Sequence, residues 1–142
     1  MKILVAVDGS KASLDALKNV IDHTDQYREA PSIELVTVHR PVPKLGGMGG
    51  AVGKSQLERY YQEEGDQTLA EAKKLLERAG IPYEPRVLVG EPAEMIVKQA
   101  KKVGADLIAV GATGKSALGK MLLGSTAAKV LQLADIPVLL LK

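Results

Sequence analysis

Residues 3–10 read Ile-Leu-Val-Ala-Val-Asp-Gly-Ser, an unbroken apolar run that ends in a polar turn. A continuous apolar run of this length is typical of a strand that is covered on both faces, as in a parallel sheet. Asp8-Gly9-Ser10 forms the turn, and Ser10 is a candidate N-cap for the helix pattern that follows. This stretch therefore predicts the first β–α unit of an α/β fold.

The same alternation of strand and helix patterns continues to the end of the chain. Further strand patterns lie at residues 33–39, 83–89, 106–110 and 137–141. The resulting β-α-β-α-β-α-β-α-β order predicts an α/β fold with an open five-stranded parallel sheet and helices on both faces. We find no internal repeat, and residues 1–142 are expected to form one domain. Residues 40–53 are rich in Gly and Pro and are expected to form a mobile loop within it.

A second polar turn lies between the fourth strand and the last helix. It reads Gly111-Ala-Thr-Gly114, then nine residues, then Gly124-Ser125-Thr126. Glycines let backbone N–H groups approach a ligand closely, and a helix N-terminus adds unpaired N–H groups with a partial positive charge. The turn therefore predicts an anion site, most often one for phosphate. The alternative is a plain connection in which Gly124-Ser125 only caps the helix.

The two polar turns are expected to meet if the strand order is 3-2-1-4-5. In open α/β sheets, ligands bind beyond the carboxyl ends of the strands, where the strand order reverses. In that order strands one and four are neighbours, so Asp8 and the Gly111 turn would share one crevice. Asp8 could there accept hydrogen bonds from a ribose or help to hold Mg²⁺ near phosphates. The alternative is that Asp8 only favours the start of a helix.

Two commoner phosphate-binding motifs are absent. A Walker A loop needs a glycine five residues before Gly-Lys-Ser/Thr. Met48 and Ala109 stand at that position ahead of the two Gly-Lys-Ser sequences, at 53–55 and 114–116. The turn after the first strand also lacks the G-x-G-x-x-G fingerprint of dinucleotide-binding proteins. A P-loop NTPase and a typical NAD dehydrogenase are both disfavoured.

Composition argues against further functional classes. The chain has no Cys, so it has no disulfide, thiolate metal site or cysteine nucleophile. Neither His23 nor His39 has an evident Ser or Asp partner for a catalytic triad, and His39 is better interpreted as a strand-end residue with a structural hydrogen bond. A net charge of +2 does not favour nucleic acid binding. Without a signal peptide or an apolar segment of membrane length, we expect a cytoplasmic protein with no membrane partner.

Three motifs together resemble those of the universal stress protein family. They are Ile3–Ser10, Val89-Gly-Glu-Pro-Ala93, and Gly111-x-x-Gly114-x9-Gly124-Ser125 followed by Val138-Leu-Leu140. The resemblance covers the whole chain in the family's order. It implies an adenine nucleotide α-hydrolase-like, Rossmann-like fold with sheet order 3-2-1-4-5. It also implies a homodimer, formed by antiparallel pairing of the two final strands, here Val138–Leu141.

The intact glycine motif resembles that of the ATP-binding members, which implies ATP as the ligand, with Mg²⁺ on its phosphates. Asp8 would contact the ribose or the metal, and the backbone of Arg40 would meet the adenine. The ribose and phosphates would be held by Gly111, Thr113, Gly114, Gly124, Ser125 and Thr126. Arg40 replaces a residue that is more often apolar in ATP binders; a backbone contact survives this change, but stacking on the base could differ.

These features predict an ATP-binding regulatory protein of the stress response, with at most slow hydrolysis. Mg²⁺ and aligned N–H donors stabilise developing charge, but we find no clear water-activating base or arginine finger. One alternative is a nucleotide-free structural or interaction protein of the same fold. Another is an adenylating enzyme of the PP-loop group, whose Ser-Gly-Gly-x-Asp-Ser motif is not matched by Val7-Asp8-Gly9-Ser10.

Overall fold

The computed structural model of the chain describes residues 1–43, 53–114 and 123–142. Within these ranges the strands and helices alternate in the order β1 (Lys2–Ala6), α1 (Lys11–Asp22), β2 (Ser32–His39), α2 (Lys54–Ala79), β3 (Tyr83–Val89), α3 (Pro92–Val103), β4 (Leu107–Gly111), α4 (Ser125–Leu133) and β5 (Val138–Leu141). A short 3-10 helix at Thr24–Gln26 follows α1. Most of the loop expected to be mobile, at 40–53, lies outside the described residues.

The strands form one sheet in the order β3-β2-β1-β4-β5. Every neighbouring pair is parallel, as predicted. The central strand β1 pairs on both sides, with Ile3 opposite Ile33 of β2 and opposite Leu107 of β4. The strand order therefore reverses between β1 and β4, and the carboxyl ends of these two strands lie side by side.

Alternate residues along the strands supply two apolar cores, one on each face of the sheet. On one face, Ile3 and Leu35 pack with the buried residues of α1 and α2, among them Leu17. On the other face, Leu4 and Ile108 pack with α3 and α4. Full burial of one such side chain contributes about 1.5–3 kcal/mol. Helices cover both faces of the sheet, as the alternating pattern predicts.

A buried polar cluster fixes α3 against the sheet. Glu34 of β2 is 4% exposed. Its Oε1 accepts hydrogen bonds from Gln99 Nε2 of α3 at 2.7 Å and from Arg86 Nε of β3 at 3.2 Å. Because a buried carboxylate without partners is strongly destabilising, these contacts fix the position of α3 relative to β2 and β3. That position matters because the first turn of α3 lies beside the carboxyl end of β2.

The helix ends follow the local sequence. Ser10 caps α1, and its hydroxyl oxygen accepts the Ser13 N–H at 3.2 Å. Gly80 and Gly104 end α2 and α3 in the left-handed conformation, with φ of 66° and 63°. Glycine adopts this conformation without the steric cost that a Cβ brings. None of the described helices combines the length and apolar character needed to cross a bilayer.

α2 approaches the sheet closely at Gly65. This residue is buried in the middle of the helix, and a Cβ added there would overlap both methyl groups of Val87 and lie 2.9 Å from its Cβ. Glycine within a helix is normally unfavourable by about 1 kcal/mol relative to alanine. Close contact with β3 accounts for the glycine at this position.

We predict that Gly65→Ala lowers the free energy of unfolding by about 1–3 kcal/mol, because overpacking against Val87 outweighs the gain in helix propensity. Urea denaturation measures the change. Glu63→Ala, on the exposed side of the same helix, is the control and is expected to stay within about 0.5 kcal/mol. Adding Val87→Ala to Gly65→Ala makes room for the new methyl group and recovers part of the loss. A Gly65→Ala protein as stable as the unsubstituted chain would contradict this packing.

Candidate functional site

A cleft of about 280 Å³ lies at the carboxyl ends of β1, β2 and β4, where the strand order reverses. Its volume is near the lower end of the range for small-molecule sites. The cleft is lined by all eight predicted site residues, namely Asp8, Arg40, Gly111, Thr113, Gly114, Gly124, Ser125 and Thr126. The two turns predicted to meet therefore do so.

Asp8 lies in a turn that is held by its own hydrogen bonds. Its Oδ1 accepts the Ser10 N–H at 2.9 Å, and its backbone N–H donates to Ser13 Oγ at 3.3 Å. The Ser13 hydroxyl in turn donates to the Ser10 carbonyl oxygen at 3.0 Å, and Ser13 also lines the cleft. Gly9, with φ of 78°, permits the sharp turn between strand and helix. The Asp8 carboxylate is thereby positioned between β1 and α1 at the cleft.

The three glycines of the second turn lie in close contact with neighbouring atoms. A Cβ at Gly114 would lie 3.0 Å from Asp8 Oδ2, one at Gly124 would lie 3.3 Å from the Ala112 carbonyl oxygen, and one at Gly111 would lie 3.1 Å from the Thr113 carbonyl oxygen. None of these glycines has a positive φ. A side chain at any of them would therefore require a neighbouring atom to shift by a few tenths of an ångström, and at Gly114 that neighbour is the Asp8 carboxylate of the other turn.

The two ends of the nine-residue segment between Gly114 and Gly124 lie close together. The Gly124 N–H donates to the Ala112 carbonyl oxygen at 2.6 Å, so the end of the nine-residue excursion lies against its beginning. Residues 115–122, which include Lys115 and Lys120, lie outside the described residues. The two described parts of the turn, 111–114 and 123–126, therefore lie next to each other at the carboxyl end of β4, and together they are called the clasp.

α4 begins at this clasp and presents its N-terminus to the cleft. Gly124 is its N-cap and supplies no side-chain hydrogen bond, and the first turn carries no acidic residue. The first N–H groups of a helix lack partners within the helix and carry a partial positive charge. With the hydroxyls of Ser125 and Thr126, they make the β4 side of the cleft a favourable place for an anion.

The β2 side of the cleft is mainly apolar. It is lined by Val38 at the end of β2 and by Pro92 and Ile96 of α3. Sequence reasoning did not assign these residues to the site. Pro92 belongs to the Gly90-Glu-Pro motif, which signals the start of a helix beyond a strand end, but its proximity to β2 follows only from the pairing of β2 with β3.

An ion-paired rim lies next to the β2 side and reaches the cleft through Arg40. Arg40 Nη1 lies 2.7 Å from Glu91 Oε2, and Lys129 Nζ of α4 lies 3.6 Å from Glu91 Oε1. Lys129 Nζ also lies 3.4 Å from Glu94 Oε1. Glu91 thus joins the end of β2 to α4 through one carboxylate. The sequence predicted a role for the Arg40 backbone but did not reveal this side-chain pairing.

His39 lies on the other face of the sheet and does not line the cleft. Its ring packs against Tyr61 of α2, with ring centroids 6.4 Å apart. Its Nε2 is buried, and no residue in the described part of the chain forms a hydrogen bond with it. The structural hydrogen bond expected for His39 is therefore not found at Nε2, and a ring contact takes its place.

The described residues contain no cluster of three or more His, Cys, Asp or Glu side chains that could bind a metal. Asp8 is the one carboxylate among the described residues that line the cleft. Mg²⁺ needs close to six oxygen ligands, and it commonly takes one or two from carboxylates and the rest from phosphates and water. The donor set therefore fits a metal that arrives with a phosphate ligand, and not one that the protein holds by itself.

Comparison with known proteins finds relatives from one family that match nearly the whole chain. A model of the universal stress protein family matches residues 1–142. Universal stress protein MJ0531 of Methanocaldococcus jannaschii is 39% identical over 142 residues, which cover 99% of this chain and 81% of that protein. The solved structure of MJ0577 from the same organism is similar with a TM-score of 0.81 and 31% identity, covering 99% of this chain and 94% of that one.

A second solved structure carries a nucleotide. The universal stress protein of Archaeoglobus fulgidus in complex with dAMP is similar with a TM-score of 0.66 and 27% identity, covering 100% of this chain and 98% of that one. The family match, the near-complete coverage of both chains in each structural comparison, and the sheet order agree with the motifs at both turns. The chain belongs to the universal stress protein family.

Proposed function

We propose that this protein binds ATP in the cleft at the ends of β1, β2 and β4, and that it acts as a regulatory protein of the stress response. The observation that best supports this proposal is the contact between the two turns, where the Gly114 backbone lies beside Asp8 at the N-terminus of α4. Around this contact, a helix N-terminus, a carboxylate and an apolar surface line one cleft. The dAMP complex of the Archaeoglobus relative supports an adenine nucleotide as the ligand class.

Each part of the nucleotide has a matching part of the cleft. The phosphates would lie against the backbone N–H groups of the glycine turn and α4 and the hydroxyls of Ser125 and Thr126. Asp8 would accept hydrogen bonds from the ribose hydroxyls. The adenine would lie between Val38 and Ile96, with its polar edge on the Arg40 backbone. This arrangement satisfies charge, hydrogen bonding and apolar contact together.

Mg²⁺ is proposed only as a companion of the bound triphosphate. When bound, it would neutralise phosphate charge, and Asp8 is the described residue that could supply it with an oxygen. Asp8 Oδ1 already accepts the Ser10 N–H, so a metal would share the carboxylate with that hydrogen bond. In-line phosphoryl transfer also needs a residue that orients the attacking water. We therefore propose at most slow hydrolysis and assign no catalytic residue.

We predict that the purified protein carries or takes up an adenine nucleotide. Mass spectrometry of the small molecules released by denaturation identifies a carried ligand, and calorimetric titration with ATP measures uptake. Removing Mg²⁺ with EDTA is expected to weaken ATP binding, because phosphate charge is then less well neutralised. If no adenine nucleotide is released and none binds on titration, the protein is a nucleotide-free member of the same fold, and the proposal is wrong.

We predict that Gly114→Val and Gly124→Val each weaken ATP binding by more than tenfold, about 1.4 kcal/mol. The added side chains would meet Asp8 Oδ2 and the Ala112 carbonyl oxygen and would move the N–H groups away from the phosphates. Ala79→Val, at the exposed end of α2, is the matched control and should bind ATP normally. Urea denaturation establishes that each variant is folded. If both glycine variants bind ATP as tightly as the unsubstituted protein, the phosphates lie elsewhere.

We further propose that two copies pair through the free edge of β5, as the family resemblance implies. The two edges of the sheet differ. β3 exposes Glu84, Pro85 and Arg86, and charge and proline discourage strand pairing. β5, at Val138–Leu141, has no charged residue, and the preceding helix exposes Leu131 and Leu133 at 43% and 44%. No strand in the described part of the chain pairs with this apolar edge, which favours a partner strand.

The hydrogen bonds of β5 show which residues face that edge. The Pro137 and Leu141 carbonyl oxygens accept N–H groups of Ile108 and Ala112, on the β4 side. Because backbone groups alternate along a strand, Val138 and Leu140 direct theirs toward the free edge. The outward groups of Leu140 are therefore available to an antiparallel copy.

We predict a dimer in sedimentation velocity and a monomer for Leu140→Lys, because a lysine opposes pairing at an edge strand. Leu140 also packs against the core under α3 and α4, so urea denaturation must show that the variant is folded. Glu84→Lys, on the opposite edge of the sheet, is the control and should remain dimeric. A monomeric unsubstituted protein, or a Leu140→Lys protein that stays dimeric, would exclude pairing through β5.

A further inference from the structure

We propose that the side chain of Arg40 forms a wall of the base pocket and stacks on the adenine, and that Glu91 positions it there. This inference rests on the proposed binding of an adenine nucleotide and assigns a base-recognising role to two side chains. Arg40 would be a contact residue for the ligand. Glu91 would be a positioning residue that acts through Arg40.

The alternation of β2 directs Arg40 toward the cleft. Val38, two residues earlier, lines the cleft, while His39 faces the opposite side of the sheet and packs against Tyr61. Arg40 lines the cleft beside the apolar residues Val38 and Ile96. An apolar pocket with a planar cation at its rim suits a purine ring, because guanidinium groups stack on aromatic faces.

The pairing of β2 with β3 brings Glu91 to Arg40. The Gly90 N–H donates to the His39 carbonyl oxygen at 2.9 Å, so the two residues that follow, Glu91 and Arg40, leave the sheet side by side. Their side chains meet at 2.7 Å. Glu91 is the N-cap residue of α3 but makes no side-chain hydrogen bond to that helix. Its carboxylate forms ion pairs with Arg40 and Lys129 instead.

The exposure of this ion pair indicates that it positions the Arg40 side chain and contributes little to the stability of the fold. The Arg40 side chain is 66% exposed and that of Glu91 is 28% exposed. Exposed ion pairs typically contribute about 0–1 kcal/mol to folding. The pair nevertheless restricts a long side chain that would otherwise sample many rotamers, and a guanidinium bonded in its plane keeps its two faces open for stacking.

The strand order separates the backbone of Arg40 from that of the glycine turn. β2 and β4 lie on opposite sides of β1, so they are two strand spacings apart, about 10 Å. The glycine turn and the α4 N-terminus follow β4, whereas Arg40 follows β2. A nucleotide that spans the cleft with its phosphates at the glycine turn therefore presents its base, and not its phosphates, to Arg40.

Calorimetric titration of the unsubstituted protein and Arg40→Met with adenosine, ATP and inorganic triphosphate tests this assignment. Loss of a guanidinium from the face of the base is expected to weaken adenosine and ATP by the same factor, about fivefold, and to leave triphosphate unchanged. Lys74→Met, in an exposed ion pair of α2, is the control and should bind all three ligands normally.

Two results would overturn the stacking role while leaving the proposed function intact. Arg40→Met that weakens ATP and triphosphate but not adenosine would place the guanidinium on the phosphates. Unchanged affinity for all three ligands would give the side chain no role in binding. An unsubstituted protein that binds no adenine ligand would instead remove the proposed function, and the base pocket with it.

A double-mutant cycle tests the part of Glu91. Glu91→Gln is expected to weaken adenosine about twofold to threefold in the unsubstituted chain and to have no further effect in Arg40→Met, because Glu91 acts through Arg40. Glu94→Gln is the matched control, since Glu94 contacts Lys129 at 3.4 Å within the same rim; it should leave adenosine binding unchanged. Equal effects of Glu91→Gln with and without Arg40 would contradict a positioning role.

Discussion

β1 is paired on both sides and covered on both faces, and the geometry of the cleft follows from that burial. Ile3, Leu4 and Val5 are each at most 1% exposed. Because a shift of β1 by one residue would exchange the side chains that fill the two closely packed cores, the turn that follows it has a fixed position. β4 is held in register against β1, with Val110 opposite Ala6. The two turns therefore leave the sheet side by side, and the contact between Gly114 and Asp8 is a consequence of strand pairing.

The strands could be predicted from the sequence because burial on both faces produces short continuous apolar runs, and the turn residues that bound each run distinguish it from a helix. A helix end could be predicted where one residue type has a strong local reason, such as Ser10 as N-cap of α1. The order of the strands in the sheet could not be predicted in this way. Apolar periodicity carries no information about neighbours in the sheet, and the order came from the family resemblance before the structure confirmed it.

The residues that line the cleft could be predicted for the same local reason, but the glycines among them also have a packing role. The sequence suggested that Gly111 and Gly114 leave room for a ligand. In the structure they also leave room for neighbouring protein atoms, since a Cβ at Gly114 would meet Asp8 and one at Gly111 would meet Thr113. The two roles are compatible, because turns that pack this closely leave their N–H groups near one shared space. The need for Gly65 could not be predicted, since it depends on Val87, which is remote in sequence.

The pairing of Arg40 with Glu91 could not be predicted because the two residues are 51 positions apart and meet only through the β2–β3 register. This ion pair also affects the distribution of charge in the cleft. An apolar residue after β2 would complete an apolar pocket, whereas an unpaired arginine there would attract phosphates to the wrong end. A carboxylate on the guanidinium neutralises most of that attraction and leaves the planar faces available. If an adenine nucleotide binds as proposed, the ion pair thus lets a charged residue lie beside the base while the phosphates lie at α4.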